Sequence, residues 1–303
     1  MRIALAGLTI AVALAPLTAA PPDGKPRDQI KASIDVGLNW LRWQLDGEGT
    51  WRGDAFTTAR GVQVFAESHR KYVEADGPFM RRPVAFVRHA LANQPSPVMS
   101  AAGVLALAPI KNAGDAALVR THGEAARAWL AASASAARPT DLEQVAMAVA
   151  AVRAAGMPAG GHLVRDASVL LTHGSTNGPV PGFAEALRVE TLLRAGAPAD
   201  DEMLRTSLQG LAKSWSWWNE PGRAAKAGYA VVPARYWHGL ARALDVLGKP
   251  SFEDVAGTAH DWKVEMARAI IAAQQFDGYW AEAGDRIGDT ITMIAALELI
   301  YRQ

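Results

Sequence analysis

The chain has 303 residues, with 31 basic against 30 acidic for a net charge of +1, and it contains no cysteine. Balanced charge excludes the broad positive field that nucleic acid or an anionic membrane surface would require. The missing thiols exclude disulfides, thiolate nucleophiles and thiolate zinc sites. Half the residues are hydrophobic with alanine prominent, which favours helix over strand, and the 10 Trp outnumber both the 7 Phe and the 5 Tyr.

At the N-terminus, Met1-Arg2 is a minimal positive start and Ile3 to Leu17 is an uncharged apolar run. Small residues follow at Thr18-Ala19-Ala20, before Pro21-Pro22-Asp23-Gly24. That order reads as a secretory signal peptide over residues 1–20 with a linker over 21–28. The run is shorter than the roughly 20 apolar residues that a spanning helix needs. The expectation is an exported protein, periplasmic or extracellular, with no stable membrane insertion after signal cleavage.

From residue 29 to 303 apolar segments recur at helical spacing, divided by Gly, Pro and Asp clusters, and fall into pairs. The first helix of each pair is predicted at Ile30–Gln44, Pro83–Gln94, Thr121–Ala132, Gly161–Thr172, Asp201–Trp215 and Trp262–Gln275. The second is predicted at Thr57–Tyr72, Met99–Ile110, Asp141–Ala155, Phe183–Ala195, Ala234–Leu247 and Asp289–Tyr301. Second helices start 42 residues apart over the first three intervals, then 51 and 55, where the loops after Trp215 and before Trp262 are longer. The fold class is therefore all-α, an array in which only stacking of neighbouring pairs can bury each apolar face.

The ends of the chain carry the clearest local motif. Gln44-Leu45-Asp46-Gly47 is followed by Trp51 and then Thr57-Thr58. Gln275-Phe276-Asp277-Gly278-Tyr279-Trp280 is followed by Asp289-Thr290. Asp-Gly turns the chain at the end of a first helix, the Gln amide bonds exposed backbone there, the Trp packs across the turn, and Asp, Ser or Thr caps the next helix. This pattern resembles the tryptophan-rich repeat of squalene–hopene cyclases, and more loosely the repeat of protein prenyltransferase β-subunits. The resemblance spans about residues 29–303 and is specific in the first and last repeats. It implies an (α/α)6 toroid, six inner helices ringed by six outer ones and closed end against end, with these turns as structural clasps.

The resemblance also sets what to look for in the way of chemistry. The cyclases protonate an alkene with an acidic cluster of the form Asp-x-Asp-Asp-Thr. Its counterpart here is Asp285-Arg286-Ile287-Gly288-Asp289-Thr290, of which only Asp289-Thr290 matches, so Asp289 is either the one acid carried over or a helix N-cap. The prenyltransferase zinc site and the thioester of complement-type toroids both require a cysteine, which this chain lacks. No cofactor is called for.

Other candidates come from the residues themselves. Glu190 sits mid-helix in the apolar run Ala186–Leu192 and is the expected buried acid of a carboxylate pair, as glycoside hydrolysis would need, or else a core ion-pair partner of Arg60 or Arg188. Asp141 with Glu143, Glu185 with Glu190, and Asp289 with Glu282 are the other pairings. Of seven histidines no two have metal-ligand spacing on one helix, so no metal site is expected. Tyr236-Trp237-His238 opens the fifth second-helix, where it can line a ligand site; the alternative for His238 is a helix-face histidine exposed to solvent or satisfied by a backbone carbonyl. In the expanded loop Ser214–Pro233, Trp218 can stack on a ligand, while Trp215 and Trp217 read as packing of the turn. No phosphate-cradling glycine loop or Gly-x-Ser-x-Gly element occurs. The expected partner is an apolar, isoprenoid-like small molecule held in a central cavity. The alternatives are a glycan in an exported carbohydrate-active enzyme, or a protein partner of a non-catalytic scaffold.

Overall fold

The computed structural model describes residues 26–93, 95–136, 139–174, 182–218, 234–281 and 284–302, with the side chains of 216–218 also outside it. The expected signal peptide lies outside these residues. Within them the chain is almost wholly helical. Helices α1 (Pro26–Trp43), α2 (Ala55–Glu67), α3 (Pro78–Asn93), α4 (Pro97–Leu107), α5 (Ala116–Ser135) and α6 (Leu142–Ala154) make the first half. The second half holds α7 (Gly161–His173), α8 (Phe183–Ala195), α9 (Glu202–Trp218), α10 (Ala234–Leu247), α11 (Trp262–Ala272) and α12 (Arg286–Tyr301). A two-residue antiparallel hairpin, Phe252–Glu253 with Ala259–His260, is the only strand pairing among the described residues. No helix among them is long and apolar enough to cross a membrane.

All twelve predicted helices are present, with ends shifted by a few residues for reasons visible in the caps. Asp54 caps α2 by accepting the Thr57 amide at 2.6 Å, so the helix starts before Thr57. It ends at Glu67 rather than Tyr72, because Ser68 turns out of the helix and its hydroxyl donates back to the Phe65 carbonyl at 2.7 Å. Helix α3 begins at Pro78, whose missing N–H costs nothing at a first position, and Pro83 lies inside it rather than at its start. Ser96 caps α4 ahead of Pro97.

Burial separates the helices into two kinds. Among the even-numbered ones α4 and α6 are buried nearly all round, α6 burying every residue from Val145 to Val152, whereas α10 turns Arg235, His238 and Arg242 to the space between the helices. The odd-numbered ones bury one stripe, as α5 does with His122, Ala126, Leu130 and Ser133. A helix apolar on every side must be covered on every side. Accordingly α2 packs on α4, α4 on α6, α6 on α8, α8 on α10 and α10 on α12, and the series returns on itself because α12 also packs on α2. Odd-numbered helices cover the outside of this series: α3 lies against α2 and α4, α5 against α4 and α6, and α1 against α11 and α12.

The terminal turns behave as the clasps their sequence suggested. Trp51 and Trp280 are wholly buried, and each indole N–H donates to the carbonyl ten residues earlier, Leu41 at 2.9 Å and Ile270 at 2.7 Å. Each Trp amide donates to the hydroxyl of the following helix's threonine, Thr58 at 3.2 Å and Thr290 at 3.0 Å. Gln274 reaches across 241 positions to Ser33, accepting from its hydroxyl at 2.6 Å and donating to its carbonyl at 3.0 Å. Trp40 tilts against Tyr279 with ring centroids 5.2 Å apart. The two helices on either side of this seam approach so closely that a Cβ on Gly37 would stand 2.9 Å from both Ile294 and Trp280. Trp262 repeats the indole bond, to Lys249 at 3.0 Å, without the Gln and Asp-Gly that made the other two legible.

A second seam contact joins α1, α2 and α12. The buried Glu298 accepts the His69 amide at 2.9 Å and faces His69 Nδ1 at 3.2 Å, while His69 Nε2 lies 3.2 Å from Asp35. Burial outweighs His69 and raises the Glu298 carboxyl above its ordinary range.

Two outcomes follow for stability. Trp51→Ala removes a large buried ring and should cost about 3–5 kcal/mol, whereas Trp51→Phe, which strands the Leu41 carbonyl, should cost about 1–3 kcal/mol; urea titration of each variant checks both. An acid whose folded pKa is raised contributes stability at low pH that is lost as pH rises through that pKa. Melting temperatures of Glu298→Gln relative to the parent should therefore rise as pH increases across the carboxylate range, and a flat difference would contradict the assignment.

Candidate functional site: the cavities between the even-numbered helices

The even-numbered helices run in one sense, so their first turns meet at one end and their last turns at the other. Two cavities occupy the space between them. The first, of 280 Å³, is lined by opening turns: Phe56, Thr57 and Arg60 of α2, Glu143 and Met147 of α6, Phe183 and Leu187 of α8. Arg235, His238, Gly239 and Arg242 of α10, with Asp285, Gly288, Asp289, Ile291 and Thr292 at the start of α12, complete it. The second, of 360 Å³, is lined by closing turns and includes Glu67, Arg153, Glu190, Arg194, Asp245, Glu298 and Arg302. Arg60, Met147, His238 and Arg242 belong to both and form the partition.

The partition is held by one buried carboxylate. Glu190 Oε1 accepts from Arg194 Nε at 2.8 Å and from Arg242 Nε at 2.7 Å, and Oε2 takes a second bond from Arg242. Arg242 thus binds in the fork-to-fork manner that suits guanidinium and carboxylate. Burial alone would raise this carboxyl, but Arg242 and then Arg194 outweigh it and hold it below the ordinary carboxylate range. The expected ion pair exists, with Arg242 and Arg194 in place of Arg60 or Arg188. Arg188 instead pairs with Glu185 at 3.4 Å. Arg242 lies 52 positions from Glu190 and has no local sequence relation to it. An acid so fully neutralised and ionised has no proton to donate at neutral pH.

Arg60 is the other enclosed cation of the partition. It forms no hydrogen bond or ion pair among the described residues, and its Nε is buried without a partner. Burial and then Arg242 push its guanidinium down to about 10, with Glu67 and Glu190 only partly opposing. The same burial, followed by Arg242, Arg60 and Arg194, holds His238 well below its ordinary value, so the imidazole is neutral at pH 7. At the rim the other charges are compensated: Glu143 pairs with Arg235 and Asp285 with Arg52.

Asp285, not Asp289, caps α12, accepting the Gly288 amide at 2.8 Å. The N-cap reading of Asp289 is thereby corrected. Four residues after Asp285, Asp289 sits in the first helical turn, where it lines the first cavity. His238 lines both cavities, one turn from Arg242. Tyr236 is buried in the wall and meets Trp237 edge-on at 5.9 Å; neither is among the residues lining the cavities. Trp215 packs on Phe252 at 5.9 Å and His260 at 5.5 Å, as expected of a turn residue. Trp218 closes α9, and its side chain lies outside the described residues, as does Glu282. Asp141 is the N-cap of α6 and accepts the Glu143 amide at 2.7 Å.

Sequence reasoning missed Phe56, Met147, Phe183, Arg242 and Thr292 as lining residues. Their common signal was faint: each sits in the first three turns of an even-numbered helix. No family model matches this chain, and no curated protein is similar enough to be counted a relative.

Glu190→Gln should lower stability by about 3 kcal/mol, because it leaves Arg242 and Arg194 uncompensated in the interior. Glu190 has a lowered folded pKa, so its contribution is present above the unfolded carboxylate pKa and lost as pH falls through the folded one. The deficit of the variant measured by denaturant unfolding should shrink towards acid pH.

Proposed function

We propose that this chain is an exported (α/α)6 toroid of the kind found in squalene-cyclase and prenyltransferase repeats, and that it takes up a small, largely apolar ligand in the cavity at the helix-opening end. The toroid reading is supported by the circuit of contacts from α2 through α12 back to α2, with odd-numbered helices outside it. The two matching Trp–Thr turns at the ends of the chain, and the bonds of Gln274 in the last turn to Ser33 of α1, give it further support.

The ligand reading is carried by one observation: a 280 Å³ cavity remains between the opening turns of the even-numbered helices, and Phe56, Met147, Phe183, Leu187 and Ile291 give it an apolar wall. Small-molecule sites are of this kind, concave and mostly apolar with a few placed polar groups. The groups that the neighbouring chemistries would need are differently disposed. Glu190 is sealed by two arginines, and Asp289 stands without the preceding acids of the cyclase cluster. Binding, rather than alkene protonation or glycoside hydrolysis, is therefore the activity assigned.

Native mass spectrometry of the mature protein offered ten- and fifteen-carbon isoprenoid alcohols tests the assignment. The parent should retain one molecule, and Thr292→Trp, which places a ring across the cavity from a half-buried wall position, should retain none while unfolding cooperatively. Retention unchanged in that variant would place the ligand elsewhere. Retention of an oligosaccharide instead would move the chain to the carbohydrate-active class.

A further inference from the structure

The opening-end cavity holds one cation, Arg60, with no hydrogen bond or ion pair among the described residues. The other cations around it each contact an anion: Arg235 pairs with Glu143, Arg242 and Arg194 share Glu190, and Arg52 at the rim pairs with Asp285. Arg60 has none among the described residues, although its Nε is buried. Glu190 is near enough to influence it, yet both Glu190 oxygens are already taken by Arg242 and Arg194. Burying an unpaired charge is costly, and folded chains rarely retain one without a partner. Stability forgone at a single interior position is the common mark of a group kept for binding.

The surroundings favour an anion on one side of the partition only. The opening turns of α2, α6, α8, α10 and α12 line the first cavity. The positive ends of their dipoles face it, with Asp54, Asp141 and Asp285 capping α2, α6 and α12. The second cavity is lined by closing turns, whose carbonyls disfavour negative charge. Beside Arg60 on the first side stand His238, which as a neutral imidazole can donate a hydrogen bond without adding charge, and the apolar wall of Phe56, Met147, Phe183, Leu187 and Ile291.

We infer that Arg60 receives the carboxylate of a small monocarboxylic acid whose hydrocarbon part fills the first cavity; the inference rests on the ligand-binding reading above. The Arg60 guanidinium presents the two parallel N–H groups that a carboxylate accepts. A phosphate monoester carries about −1.5 to −2 at neutral pH, more than one guanidinium matches.

Calorimetric titration at neutral pH with geranic acid, geraniol and geranyl phosphate, on the parent, Arg60→Met and Arg60→Lys, tests this, together with melting of each ligand-free protein. The acid should bind the parent about tenfold or more tightly than the alcohol, as a charge-assisted pair in an enclosed site allows. Arg60→Met should abolish that preference and leave alcohol binding within about twofold. It should also melt a few degrees above the parent, because it removes an uncompensated charge. Arg60→Lys should keep part of the preference. Equal binding of acid and alcohol by the parent would overturn the role of Arg60 while leaving the cavity reading intact. A preference that survives Arg60→Met, or a lower melting temperature for that variant, would make Arg60 structural. Tighter binding of the phosphate than of the acid would overturn the monocarboxylate assignment. Failure of all three ligands to bind would sink the cavity reading and this inference with it.

Discussion

A helix that is apolar on every side cannot lie on the surface of anything, and the rest of this structure follows from that constraint. Helices α4 and α6 come closest to this kind; the even-numbered helices each pack against an even neighbour on two sides, with odd-numbered helices outside the series. Because no helix in such a series can be left at an end, the last must meet the first. The tight approach of Gly37 to Ile294 and Trp280, and the bonds between Gln274 and Ser33, are where that requirement is met. The indole clasps matter for the same reason. A bulky ring that bonds a carbonyl ten residues back fixes the angle between consecutive helices, and angular error would otherwise accumulate around the circuit.

The same packing dictates where polar chemistry can sit. Helices of one sense deliver all their opening turns to one end and all their closing turns to the other, so the two cavities differ in field although both are lined by mixed side chains. Between them the partition places Arg60, Arg242, Arg194 and Glu190 in surroundings where charge must be matched. Glu190 is matched twice and becomes a structural tie between α8 and α10. Arg60 is left over. The difference between a tie and a site is thus one of counting partners, and it lies in three-dimensional adjacency alone.

The helix pairs, their 42-residue period and the clasp turns could be read from the chain because they rest on neighbouring residues: apolar spacing, capping side chains, Asp-Gly turns and Trp all act within a dozen positions. What local reading blurred was the exact cap, since Asp285 and Asp289 are both plausible cap types and only backbone geometry decides which accepts the Gly288 amide. Trp262 was missed as a clasp because its indole bond lacks the accompanying Gln and turn.

The site was far less legible. The sequence by itself determined that the chain is all-helical, repetitive, free of thiol chemistry and punctuated by aromatic turns, since composition and short-range spacing fix those properties. Only the tertiary structure decided that Glu190 would be neutralised by Arg242 and Arg194, that Tyr236 would belong to the wall and His238 to the cavity, and that Arg60 would form no ion pair among the described residues. These depend on which residues from helices tens to hundreds of positions apart share one low-dielectric space, and electrostatic pairing there is set by distances that no local pattern encodes.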